Sequence, residues 1–316
     1  MKDCVSIEKG GSFYVSQNSS LLIINSSISN SYASYGSAFY FQENVFSEII
    51  IQDSFFFNNF GDYSIIDSSR TNFVINNSVF LNNKNNLISL SFSFCSIFNS
   101  SIENQECATR IAGCVVRSQD NSHLLVKNLS VKNSSSKYVE GNFYTEMSFN
   151  EISGLVMIDA ISVKRKGSCL SCYSSFVSVD ETSFVNYDYN CIYSVATSIN
   201  VSNSNFNNSN YSWNQNMINA FGTFFCLNCE EIIIKNSYFI KNKKVSDGSA
   251  IYLKLSKTIK NKIIISNSSF IQNEALESGT IFVLNQNFSI TNCNFEQNRA
   301  NRGAGIFIYN EGINNY

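Results

Sequence analysis

Proline is missing altogether from this chain of 316 residues. A backbone whose amides all pair with neighbours above and below would lose a ladder donor at every proline, so the absence fits a stack of strands. Charge is sparse: 15% of residues carry it, the net value is −2, and no basic run exceeds Lys164-Arg165-Lys166. That triplet reads as a solvated loop, and nucleic acid is not an expected partner. No stretch of about 18 apolar residues occurs, so no membrane span is expected in this chain. No signal peptide precedes Gly10-Gly11-Ser12-Phe13, which already looks like folded repeat. The single histidine, His123, stands alone before Leu124-Leu125-Val126 and reads as a surface residue. Asp53, Asp62, Asp67, Asp120, Asp159, Asp180, Asp188 and Asp247 are scattered singly. Glycosidase or lyase chemistry needs clustered acids or a metal-bound carboxylate set. Asp180–Glu181 is the one acidic pair in a strand-like region and reads as a solvated face. No catalytic, cofactor-binding or metal-binding residue is therefore assigned.

What the chain does have is a repeat. The phrase I-x-N-S-x-F-x-x-N is clearest at Ile234–Asn236–Phe239–Asn242 and Ile265–Asn267–Phe270–Asn273. The same offsets hold from Ile290, Ile75 and Ile51, and weaker copies begin at Ile23, Ile97, Val126, Val179 and Val201. Spacings run from 22 to 33 residues, apart from one gap of 53 after Val126 that would hold a further degenerate copy. Such self-similarity means one short unit per coil, unable to bury its apolar face without its neighbours. β-Branched runs such as Ile232-Ile233-Ile234 favour short strands, and Asn-Ser after them is turn chemistry. The large apolar residue five after the start (Phe239, Phe270, Phe295) reads as a stacked core position. The residue two after the start (Asn25, Asp53, Asn77, Asn99, Asn128, Glu181, Asn203, Asn236, Asn267, Asn292) reads as an amide ladder, each side chain hydrogen-bonded to the next along the stack, against the alternative of a row of surface turn asparagines without mutual contacts. A small-residue phrase follows, as at Gly36-Ser-Ala-Phe39 and Gly248-Ser-Ala-Ile251. One coil is then expected to run strand, Asn-bearing turn, single inward Phe, polar loop, small-residue turn, strand.

Phe-x-x-Asn paired with an approximate Gly-Gly-Ala-Ile resembles the repeat of the polymorphic outer membrane proteins, a right-handed parallel β-helix family of pectin-lyase-like fold. The resemblance covers about two thirds of the chain; residues 105–175 match neither half well. It implies an all-β, right-handed parallel β-helix of about eleven or twelve coils, ~55 Å tall at ~4.8 Å per coil. The expected organisation is one such domain over residues 1–316, with longer loops in 105–175, cut from a longer repeat protein. The competing solenoid is the leucine-rich repeat, but leucine is scarce and the asparagine follows the apolar run by two residues.

Ten cysteines include two C-x-x-C pairs, Cys169–Cys172 and Cys226–Cys229. Their separation is too long for a zinc ribbon, and each pair is expected in a loop before a strand. Eleven Asn-x-Ser sequons are present, and an internal ladder would close Asn25, Asn99, Asn128 and Asn267 to glycan. Tyr187, Tyr189, Tyr193, Tyr211 and Trp213 cluster in one region and read as exposed contact residues, or as ordinary strand decoration. The function expected is a non-catalytic segment of an extracellular or cell-surface protein that presents loops for adhesion to other proteins or glycans. The alternatives are a carbohydrate-active β-helix enzyme and a structural spacer.

Overall fold

The computed structural model describes residues 1–17, 19–43, 48–108, 113–136, 141–162, 168–209, 222–244, 246–256, 261–285 and 288–310. Among them all regular structure is strand, and every strand pair is parallel. Thirty-five strands join one hydrogen-bonded sheet, and Lys243–Lys244 pairs separately with Glu274–Ala275. The chain is a parallel β-solenoid of about 10 turns. That is a little below the expected eleven or twelve; the first pass pairs through isolated bridges such as Lys2 to Ser29 and Val5 to Tyr32.

One coil shows how sequence becomes shape. Glu231–Lys235 alternates, with Ile232 and Ile234 buried and Ile233 half out. Asn236 then takes a left-handed turn at φ 49°, a conformation that asparagine tolerates better than most residues. Tyr238–Ile240 forms a second strand with Phe239 inward, followed by the pair Lys243–Lys244. Gly248, at φ 63°, starts the return strand Ile251–Lys254; a Cβ there would lie 2.4 Å from the Ile251 carbonyl oxygen. The expected single inward Phe is thus the middle of a strand of its own, because the left-handed turn redirects the chain and extended pairing resumes at once.

Register runs through the described stack. One column reads Ile23, Ile51, Ile75, Ile97, Val126, Ile152, Val179, Val201, Ile234, Ile265 and Ile290. The copy in the long gap is therefore Ile152–Gly154–Met157, with Gly154 in the asparagine's turn at φ 60°. A second column carries the phenylalanines. Their rings stack at 5.2 Å (Phe184–Phe206), 4.7 Å (Phe206–Phe239), 5.1 Å (Phe239–Phe270) and 4.8 Å (Phe270–Phe295). Each buried ring contributes about 1.5–3 kcal/mol by leaving water, with about 0.5–1.5 kcal/mol more from each aromatic pair.

The expected amide row does bond from coil to coil in places, but on the outside of the stack, and a second, buried ladder runs on a different asparagine. All ten residues two after the start are exposed, and all ten sit at positive φ between 46° and 54°. Some hydrogen-bond outside the stack, as Asn128 Nδ2 does to Asn99 Oδ1 at 3.0 Å and Asn236 Nδ2 to Asn203 Oδ1 at 3.2 Å. The buried ladder is the asparagine three after the Phe. Asn59 donates to Asn83 at 3.1 Å, Asn242 to Asn273 at 3.0 Å and Asn273 to Asn298 at 3.1 Å. The same amides also reach carbonyls of the preceding coil, as Asn273 does at Phe239. In most coils the serine after the turn residue is buried, as at Ser54, Ser78, Ser100, Ser204, Ser237 and Ser268: Ser78 Oγ donates to the Asn76 carbonyl and accepts the Ser54 amide. At these turns the side chains point to solvent, so the turn asparagines do not face the core. Asn25, Asn99, Asn128 and Asn267 are accordingly open to solvent, and the expected exclusion of glycan there does not hold.

Candidate interaction surface

Strand alternation gives the return face an outward row as regular as the inward one. It reads Tyr14, Tyr40, Asp67, Ser89, Arg117, Tyr144, Ser171, Tyr193, Phe225, Tyr252, Phe282 and Phe307. Toward one end the row is a continuous aromatic stack, with centroids 4.9 Å (Tyr193–Phe225), 5.4 Å (Phe225–Tyr252), 4.8 Å (Tyr252–Phe282) and 5.6 Å (Phe282–Phe307) apart. Toward the other end Tyr14 and Tyr40 stack at 5.3 Å. Between these two stretches the aromatics give way to Asp67, Ser89 and Arg117.

A groove of about 400 Å3 lies over that polar break. One flank carries Tyr35 and Tyr63, whose rings stack at 4.2 Å and 6°. The Lys9 ammonium sits 4.7 Å from the centre of the Tyr40 ring, and Glu8 stands on the same wall. Burial pushes the Asp67 carboxyl up to about 6, against the hydroxyl of Ser64 donating at 2.9 Å and the nearby charges of Arg117 and Lys9. The Arg117 Nε is buried with no hydrogen-bond partner. This arrangement offers a flat aromatic platform beside a carboxyl acceptor and a guanidinium donor, which is binding chemistry for a polar ring. A larger opening of about 710 Å3 on the turn side is lined mostly by polar side chains, some of which pair with one another, as Lys243 does with Glu274 at 3.3 Å.

The residues singled out in the sequence mostly lie elsewhere. Tyr187 is fully buried, its hydroxyl donating to Asn242 Oδ1 at 2.6 Å. It stands three after Phe184, in register with Ala160 and Ser209, a position that points inward in every coil. Tyr189 and Tyr193 are partly exposed, and Tyr193 belongs to the outer aromatic stack; Tyr211 and Trp213 lie outside the described residues, as does Lys164-Arg165-Lys166. His123 is wedged edge-on between Phe94 at 4.7 Å and Phe149 at 4.9 Å. Asp180 accepts from Ser202 and Asn203, and Glu181 is a left-handed turn residue. The expected loop placement of the C-x-x-C pairs fails in part, since Cys172 and Cys226 lie within return strands and face the core. Cys226 is bonded to Cys229 and Cys107 to Cys114, while Cys169 and Cys172 are free thiols. Among the described residues no three His, Cys, Asp or Glu side chains gather as a metal site would require. The groove could have been found by aligning the return strands, whose outward position breaks its aromatic run at Asp67.

Comparison of the chain with family models, with curated proteins and with solved structures gives no match, so the likeness to the polymorphic outer membrane protein repeat rests on the Phe-x-x-Asn phrase and the parallel β-solenoid alone.

Proposed function

We propose that the chain is a non-catalytic recognition solenoid of a secreted or cell-surface protein, and that the Asp67–Arg117 groove is where it holds a glycan. The observation that carries this reading is the break at Asp67, Ser89 and Arg117 in a largely aromatic outer row. Apolar sugar faces stack on rings such as Tyr35 and Tyr63, while ring hydroxyls pair with a carboxylate and a guanidinium. Two disulfides and exposed sequon asparagines such as Asn99 and Asn128 suit an oxidising, secretory route. A glycan array probed with the wild-type chain and with Tyr63→Ala and Arg117→Ala tests it. Binding to a defined set of saccharides that both variants lose supports the reading. Unchanged binding by the variants, or capture of proteins alone, removes the groove from it.

A carbohydrate-active enzyme is the second reading, favoured by the Asp67 carboxyl near 6, where a general acid would operate. Glu8 is the other carboxylate on the groove wall. Release of reducing ends or unsaturated sugars from an array-positive polysaccharide, lost in Asp67→Asn, would establish it.

A further inference from the structure

Cys169 and Cys191 hold the same place in successive coils, the residue just before the return strand. Leu170 pairs with Ile192, and the Cys169 amide donates to the Cys191 carbonyl at 3.1 Å. In-register neighbours across a ladder stand ~4.8 Å apart, within the ~4.4–6.8 Å between Cα atoms that a disulfide spans. Both side chains are fully buried in the same core, and both are free thiols. Burial raises the Cys191 thiol, and interaction with the Cys169 thiol raises it further. The two bonded pairs each close a short stretch of chain, with separations of 7 and 3 residues. Neither reaches as far as the 22 positions between Cys169 and Cys191.

We propose that Cys169 and Cys191 form a third disulfide, a covalent staple that locks one turn of the solenoid onto the next. The step balances with a small-molecule disulfide such as oxidised glutathione as electron acceptor. One cysteine thiolate attacks it and releases one small thiol; the second cysteine then displaces the other. Two S–H bonds are lost, one S–S bond forms between coils, and the two protons and two electrons leave as two small thiols. Oxidation takes place as the coils meet, before packing seals the sulfurs from solvent. Cys172 provides the internal contrast. It is equally buried, but its ladder neighbours are Thr145 and Ser194, so it has no sulfur above or below.

The test uses the full chain, refolded from the reduced and denatured state in a glutathione redox buffer. It is then denatured, alkylated without reductant, and mapped by peptide mass spectrometry. The expected result is a cross-linked pair of peptides carrying Cys169 and Cys191, each free of alkyl label, with Cys172 fully labelled. Label on both Cys169 and Cys191, or either of them linked to another cysteine, overturns the proposal. Cys169→Ser separates a real bond from poor refolding: Cys191 should then become labelled in protein that retains the strand signature of the wild type. If Cys191 stays unlabelled in that variant, its partner is not Cys169.

Discussion

Asn242 and Asn273 are directly stacked, fully buried, and joined by a hydrogen bond of 3.0 Å from Nδ2 of one to Oδ1 of the other. The Asn273 oxygen also accepts the Asn242 backbone amide, and its own amide reaches the Phe239 carbonyl. One side chain therefore satisfies two main-chain groups of the coil before it.

Replacing Asn273 by Ala orphans those groups in the core, and should lower stability by about 2–4 kcal/mol in urea denaturation. Asn236→Gly, at the exposed left-handed turn, should change it by less than about 0.5 kcal/mol, since glycine takes φ 49° freely. Equal losses at both sites would contradict the assignment of the ladder.

Phe239 lies between Phe206 and Phe270 with no exposed surface. Phe239→Ala should cost about 3–5 kcal/mol by removing two stacked ring pairs and leaving a cavity. Its neighbour Tyr238 is exposed, and Tyr238→Ala should stay within about 0.5 kcal/mol. Thermal denaturation of the two variants side by side decides this.

Asp67 has a folded pKa of about 6, raised above its ordinary value by burial. The folded state then binds a proton that the unfolded state has already lost between about pH 4 and 6, so this contribution to stability is present in acid and fades as pH climbs through 6. Asp67→Asn should remove that slope and raise stability at neutral pH, on the order of 1–2 kcal/mol after allowance for solvent near the groove. Urea midpoints measured across that window would show a retained slope if the carboxyl is not responsible.

Lys244 is buried at a position held by Ala275 in the next coil, its ammonium donating to the Tyr189 carbonyl. Burial lowers its pKa to about 7, against the pull of Cys191, Asp188 and Cys169. Unfolded lysine keeps its proton to about pH 10.5, so stability should rise from pH 7 toward 10.5, and the full penalty applies below 7. Lys244→Met should stabilise the protein at pH 6 by about 2–4 kcal/mol, less what the Tyr189 carbonyl loses with its donor. A destabilised Lys244→Met would mean that the buried amine is held by more than that carbonyl.

The inward architecture was legible because it repeats: Ile234, Ile265 and Ile290, or Phe239, Phe270 and Phe295, announce vertical neighbours through constant offsets. Offset alone cannot say which of two asparagine rows is buried, because it does not distinguish a residue that faces the core from one that turns the chain. Asn236 and Asn242 recur with equal regularity, and only backbone handedness separates them. Tyr187 follows the same logic: clustering along the chain suggests exposure, whereas its neighbours down the stack, Ala160 and Ser209, place it inside. The groove escaped notice because Asp67, Ser89 and Arg117 are unremarkable singly, and become a site only when three coils place them in one row.

The outward row of the return face takes one side chain from each turn, at a pitch of ~4.8 Å, and none of them takes part in the inner packing. It works as a ruled scale on which each graduation can be rewritten separately. A single codon change alters what the flank offers to a ligand at one height while leaving the spacing of all the other marks intact.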